Sequence, residues 1–245
     1  MENHDFNKIM YDHCVFVKKF DDNDFIIFLF YVDDILIVGQ DTSKIDNIKR
    51  ELSKSFVMKD LRLVKQILCM KIPCDRKTGK LWLSQEVYVK RVLKRFNMSN
   101  AKYVCSPLAG HFKLTSEHCP ISEKEKQEMR GVPYASAVGS LMYVMVCTRP
   151  DITHAIGVVS RFISNPGKEH WTIVKWILIY FRGTSKACFC FGGDELVLQV
   201  CTNTNMARDI KSRKSLSGYL LTFIKGAISW QSRLQQCVVL SIIEA

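Results

Sequence analysis

The stretch FIIFLFYVDDILIVG, residues 25–39, sets two short apolar runs on either side of a pair of carboxylates. Phe25 to Tyr31 and Ile35 to Val38 are rich in Ile and Phe and end at Gly39. That pattern predicts two buried strands joined by a tight turn at Asp33 and Asp34. Adjacent carboxylates on a hydrophobic hairpin repel each other and lose hydration, so they persist most readily where a divalent cation neutralises them. Metal-assisted phosphoryl transfer asks for such a pair, because Mg²⁺ ions clamp the attacking and leaving oxygens. Asp is also a common turn residue, and a tip that simply faces water is the plainer reading of these residues taken alone.

Outward from the hairpin, residues 14–20 (CVFVKKF) alternate as a strand, and DDND at 21–24 turns the chain into it. Ile45, Ile48, Leu52 and Phe56 then recur at helical spacing behind a cap chosen from Asp41, Thr42 or Ser43. Residues 64–72 and 80–84, with a turn through Asp75 to Gly79, predict a second hairpin. A helix follows with Val89, Val92, Leu93 and Phe96 on one face and Lys90, Arg91, Lys94 and Arg95 on the other. Residues 97–133 are polar, with Pro107, Pro120 and Pro133, and predict a linker. Three helices are expected beyond it, over Tyr134 to Cys147, from Pro150 and Asp151 to about Ile163, and over Lys168 to Phe181. His154 and His170 lack ligand-forming neighbours in sequence and are expected to pack or face water. The last segment predicts strands at 187–191, 196–203, 218–224 and 227–232, the last pair joined at Lys225-Gly226.

The chain has 245 residues, enough for one large or two small domains, with an ordinary 47% hydrophobic content. Its net charge of +11 favours polyanionic partners such as nucleic acid. The ten cysteines show no C-x-x-C pair and no zinc spacing, so reduced thiols in an intracellular protein, cytoplasmic or nuclear, are the expectation. The polar start lacks a signal-peptide layout, and no apolar run approaches the length of a membrane span, so no membrane partner is expected.

Nearly the whole chain resembles the C-terminal portion of the Pol polyprotein of copia-type LTR retrotransposons, reverse transcriptase followed by ribonuclease H. The resemblance is carried by DHCVFVKKF (12–20), YVDDILIVGQD (31–41), LSKSFVMKDL (52–61), LWLSQEVYVKRVLKRFNM (81–98), PYASAVGSLMYVMVCTRPDITHAIGVVSRFISNP (133–166), HWTIVKWIL (170–178), SRKSLSGY (212–219) and AISWQS (227–232). It implies an α+β chain: part of a polymerase palm and thumb over 1–104, a linker and helical connection over 105–186, and an incomplete ribonuclease H-like mixed sheet over 187–245. It also implies that Asp33 and Asp34 are catalytic and hold Mg²⁺ or Mn²⁺. Tyr31 and Val32 would stand beside the primer terminus, with an RNA or DNA template–primer or hybrid as partner.

Departures from the family pattern carry their own expectations. The family's other metal-binding aspartate lies on a strand upstream of the hairpin, and Asp5, Asp12, Asp21, Asp22 and Asp24 do not match it. Polymerase activity from this chain alone is therefore not expected. Where the family's ribonuclease H reads roughly Tyr-Thr-Asp-Ala-Asp, residues 201–205 read Cys-Thr-Asn-Thr-Asn, which puts the amide Asn203 at the first catalytic position. An amide offers a hard cation one neutral oxygen in place of a charged carboxylate. Glu244 falls at the first Glu of a motif whose later members do not follow. Arg62 and Cys69 stand where related elements usually carry glycine. Two other readings stay open at this level: a non-catalytic, basic nucleic-acid-binding remnant, or a translated relic without a role of its own.

Overall fold

The computed structural model describes residues 6–21, 24–112, 114–193, 196–205 and 214–236. The chain is α+β, with all strand pairs among these residues antiparallel, and it divides into two compact units at Val64/Lys65. A parallel member that would make the C-terminal sheet mixed is not found among the described residues.

The first unit is a sheet with one helix. Strands β1 (Asn7–Lys8), β2 (Val15–Lys19), β3 (Phe25–Tyr31) and β4 (Asp34–Gly39) lie side by side in chain order. Strand side chains alternate between faces, so Ile26, Phe28 and Phe30 share one, opposite Ile37 and Ile35 of β4. Ile26 and Phe28 are completely buried there, against Ile48 and Leu52 of α1 (Thr42–Ser55). Asp41 caps α1 by accepting from the Ser43 N–H at 2.7 Å. Phe56, expected on the helix's apolar face, is 61% exposed, because the backbone leaves helical dihedrals at that residue.

The second unit has a helical core. Helices α2 (Glu86–Arg95), α4 (Tyr134–Thr148), α5 (Thr153–Val159) and α6 (Lys168–Gly183) converge on Val138, Leu141, Val144, Ile177, Leu178 and Phe181, all fully buried. On α2, Val89, Val92 and Leu93 turn inward, followed by Phe96, while Lys90, Arg91, Lys94 and Arg95 remain exposed. Arg149, 3% exposed, ties the C-terminal ends of α4 and α6 together. Its guanidinium donates to both Asp151 carboxylate oxygens, at 2.9 and 2.7 Å, and to the Thr184 carbonyl and hydroxyl, at 3.1 and 2.7 Å. Among the described residues no single helix is long and apolar enough to cross a membrane; α3 (Glu123–Arg130) and α4 reach that length only as a pair bent by 56°.

Several expectations change here. The linker of 97–133 holds the helix α3, started by a capping box. Ser122 Oγ accepts from the Glu125 N–H, and Glu125 Oε2 accepts from the Ser122 N–H. The Ser-x-x-Glu signal stands in the sequence and outweighs the surrounding prolines. Leu108, Phe112 and Leu114 pack on the helical core, so this segment is no free tether. The hairpin expected over 64–84 forms in part: its first stretch folds back on itself as β5 (Gln66–Ile67) with β6 (Met70–Lys71), while β7 (Cys74–Asp75) and β8 (Lys80–Leu83) pair across the expected turn and a Lys71↔Ser84 bridge extends them. Leu68 and Cys69, both at positive φ, fold the first strand back early. β9 (Phe189–Phe191) pairs with β8 rather than with the C-terminal strands, which form a separate meander, β10 (Leu198–Asn205), β11 (Leu216–Phe223) and β12 (Gly226–Leu234).

Arg62 (φ 62°) and Cys69 (φ 57°) both occupy the left-handed region, the physical reason glycine suits those places. That conformation costs a non-glycine residue about 1 kcal/mol or more. The greater freedom of glycine in the unfolded chain offsets part of this. Arg62→Gly and Cys69→Gly are each expected to stabilise by roughly 0.5 kcal/mol, read as a raised urea midpoint at unchanged slope.

His170 is fully buried, stacked on Phe162 at 4.1 Å, and its Nδ1 accepts from the Gly167 N–H at 2.8 Å where α6 begins. Burial, helped by the neighbouring His118 imidazole, pushes its pKa down to about 4. An unfolded histidine takes its proton near pH 6.5, so between about 6.5 and 4 the unfolded chain binds more protons than the folded one. Stability is therefore full above about pH 6.5 and falls as the pH drops toward 4, by up to roughly 3 kcal/mol. Denaturant titrations at about pH 7.5 and 4.5 test this: His170→Asn, which keeps an acceptor for the Gly167 N–H, should flatten the difference.

Candidate functional site

The β3–β4 pairing runs from Ile26↔Gly39 to Tyr31↔Asp34, which leaves Val32 and Asp33 as the turn. The turn therefore lies one residue earlier than Asp33-Asp34, and Asp34 is already a strand residue. Val32 carries the consequence. It sits at φ 51° with 88% of its surface exposed, a β-branched side chain in the left-handed region with little packed on it. Strain of that kind persists where flanking structure over-determines the backbone, as two paired strands do, and it gathers at functional sites.

Period-2 alternation places Tyr31 and Asp34 on the sheet face opposite Ile26, Phe28 and α1, together with Ile27, Leu29, Leu36 and Val38. Asp33 and Asp34 are both exposed, so the expectation of carboxylates held against burial is corrected. A two-residue turn projects its tip beyond the apolar body of the hairpin, which keeps the charges hydrated. Among the described residues no group of three or more His, Cys, Asp or Glu side chains is placed to hold a metal ion. Two adjacent exposed carboxylates fit one side of a divalent-ion site; they do not by themselves make a closed two-ion centre.

The hairpin thus brings Tyr31, Val32, Asp33 and Asp34 together. Asn203 lies in the second unit, on β10 opposite Gly218, and is exposed. Glu244 lies outside the described residues. Reading along the chain missed a polar cleft in the second unit between α5 and β12, about 340 Å³ in volume, with His154, Ser160 and Arg161 on one wall and Ser232 and Arg233 on the other. Its walls come from distant segments, so no local spacing could have signalled it.

Residues 1–110, the span that contains the hairpin, match the family described as reverse transcriptase (RNA-dependent DNA polymerase). The whole chain is 60% identical over 245 residues to the retrovirus-related Pol polyprotein from transposon TNT 1-94 of Nicotiana tabacum, covering 18% of that polyprotein. It is 35% and 36% identical to the corresponding polyproteins from transposons RE2 and RE1 of Arabidopsis thaliana, over 90% of this chain and 15% and 14% of theirs. Nearly the whole chain is thus similar to retrotransposon Pol polyproteins of plants, and it spans less than a fifth of the length of these relatives. No solved structure matches it significantly.

Proposed function

We propose that the chain supplies the metal-binding hairpin of an RNA-directed DNA polymerase and acts only together with further polypeptide that completes the metal site. The observation that carries this is the exposed Asp33-Asp34 tip, with no third ligand gathered beside it among the described residues. Asp33 and Asp34 would hold one side of a Mg²⁺ or Mn²⁺ site, and the bound ion would neutralise charge on a nucleotide's phosphates. Tyr31, on the same face as Asp34, would flank the primer end, and the strained Val32 would set the angle at which Asp33 is presented. The basic faces, +11 in net charge, would meet an RNA or DNA template–primer.

In the same reading, residues 1–104 are the palm hairpin and thumb, 105–186 the connection, and 187–245 the start of a ribonuclease H-like domain whose Asn203 replaces a catalytic aspartate. The β10–β12 meander and the amide at Asn203 support a nuclease-inactive segment. Primer extension in Mg²⁺ and in Mn²⁺ tests the proposal, with the 245-residue chain alone and joined to the upstream polymerase region of a related polyprotein. No extension alone and extension when joined is the expected result. Copying by the isolated chain would overturn it, whereas hybrid binding without extension in either form would favour a non-catalytic binding role, for which the net charge also speaks.

A further inference from the structure

We infer that Cys188 and Cys190, at the start of β9, form a two-thiolate site for a soft, low-coordinate cation of the Cu(I) class. The site shares no residue with the Asp33-Asp34 hairpin and does not depend on the polymerase reading. Phe189 and Phe191 are the partly buried side chains of β9: Phe189 lies 5.5 Å from the Trp230 ring, and Phe191 lies against Gly226. With those two turned inward, strand alternation sends Cys188 and Cys190 out together, and both are exposed. Their separation is set by the backbone of Phe189, a strand residue, which holds positions two apart at ~6.7 Å. A disulfide needs Cβ atoms about 3.5–4.5 Å apart and sulfurs at ~2.05 Å, so the strand keeps this pair too far apart to close one. A bridging cation relaxes that demand. At metal–sulfur distances of about 2.3 Å the sulfurs stand up to about 4.6 Å from each other, within reach when both side chains lean toward the gap. Thiolates select soft cations such as Cu(I), and a pair of them suits a low coordination number, whereas structural zinc asks for four ligands. Binding converts two thiols and one Cu(I) into a bis-thiolate complex and two released protons, with no change of oxidation state. Trp82 of β8 is directly opposite Cys190. Its N–H points away, to the Pro73 carbonyl at 2.9 Å, so Trp82 and Cys190 are a pair without mutual hydrogen bonds, the kind whose side chains stand closest. Opposite residues share a sheet face, and an ion held on the two sulfurs therefore lies beside an indole, whose π face attracts cations. Cys74 of β7 pairs with Leu81, in the neighbouring row and so on the other face.

Titration of Cu(I) into the 245-residue chain against the chelator bathocuproine disulfonate, without oxygen and with a thiol-free reductant, tests the inference. The chain should draw one equivalent of Cu(I) from the chelator. Cys188→Ser and Cys190→Ser should each weaken that binding at least about a hundredfold, because the second thiolate of a held pair acts at high effective concentration. Cys74→Ser, which removes an exposed thiol from the same sheet, should change affinity less than about twofold. Binding should quench tryptophan emission, and Trp82→Phe should remove most of that quenching while keeping the one-to-one stoichiometry. Cys188 and Cys190 are exposed, so the serine variants should keep the urea midpoint of the parent chain; Cys188→Ala and Cys190→Ala repeat the comparison if either serine variant melts early. Unchanged Cu(I) affinity in Cys188→Ser or Cys190→Ser, an equal loss from Cys74→Ser, or quenching that survives Trp82→Phe would each overturn the inference. Asp33→Asn/Asp34→Asn should leave Cu(I) binding intact, so failure of the thiolate site and failure of the polymerase reading give different results.

Discussion

Asp33→Asn, introduced into a polyprotein that extends primers, is expected to lower metal-dependent extension about a thousandfold, equivalent to some 4 kcal/mol of barrier. The substitution keeps the shape of the side chain and removes its charge, leaving a neutral amide oxygen where a hard cation seeks a carboxylate. Stability should not follow activity. Asp33 is exposed at a two-residue turn, a place Asn tolerates as well as Asp, and losing one of two adjacent like charges relieves repulsion. A thermal midpoint that is unchanged or slightly raised, together with lost extension, is the signature of a site built for a ligand rather than for the fold. Retained extension by both Asp33→Asn and Asp34→Asn would remove the hairpin from the chemistry.

Arg149→Met is expected to destabilise the second unit by about 3 kcal/mol. The loss leaves the Asp151 carboxylate and the Thr184 carbonyl without their main donor, and it removes a cation stacked 4.7 Å from the Phe181 ring. The figure is at the low end for a broken buried pair because the Asp151 side chain is 37% exposed and keeps some water. Arg149→Lys should recover only part of the loss, since an ammonium cannot reproduce the two-pronged contact. Arg149→Met with Asp151→Asn should cost less than the two single changes summed, because the orphaned charge is gone. Burial alone would raise the Asp151 pKa, but the Arg149 hydrogen bonds and charge, with the Tyr180 hydroxyl at 2.8 Å, hold it below the ordinary carboxylate range. Its contribution is therefore present above the usual carboxylate pKa and lost as acid reaches the lower, folded value. In a His170→Asn background this acid loss should persist, beginning below about pH 4, and be removed in part by Asp151→Asn. Urea denaturation read by tryptophan fluorescence measures each of these effects.

The second unit also shows where reading along the chain falls short. The periodicity of α2 is strong enough that its apolar face was legible residue by residue, whereas α4 and α6 were legible only as helical spans. The capping box of α3 was present in the sequence but was masked by the prolines and charges around it. The strand at Phe189–Phe191 was visible as a strand, yet nothing local says that Leu81, Trp82 and Leu83 are its partners. The β3–β4 turn of the first unit and the β11–β12 turn of the second each lie one residue earlier than their polar residues suggest, at Val32-Asp33 and at Ile224-Lys225. In the second, Gly226 serves a close approach rather than the turn: a Cβ there would sit 2.2 Å from the Phe191 ring. Trp230, opposite Leu220, donates to the Met145 carbonyl at 3.1 Å, and a register shift between Leu221 and Thr222 lies between that pairing and the turn.

By itself, then, the sequence determined the β3–β4 hairpin and most of the long helices, the acidic tip, the basic face of α2 and the family likeness, because these depend on side-chain identity and short spacings. Tertiary structure alone decided the turn positions, the partner of β9, the exposure of Asp33 and Asp34, and the cleft between α5 and β12. Those follow from cross-strand register and packing between residues far apart in the chain, whose energies no local window contains.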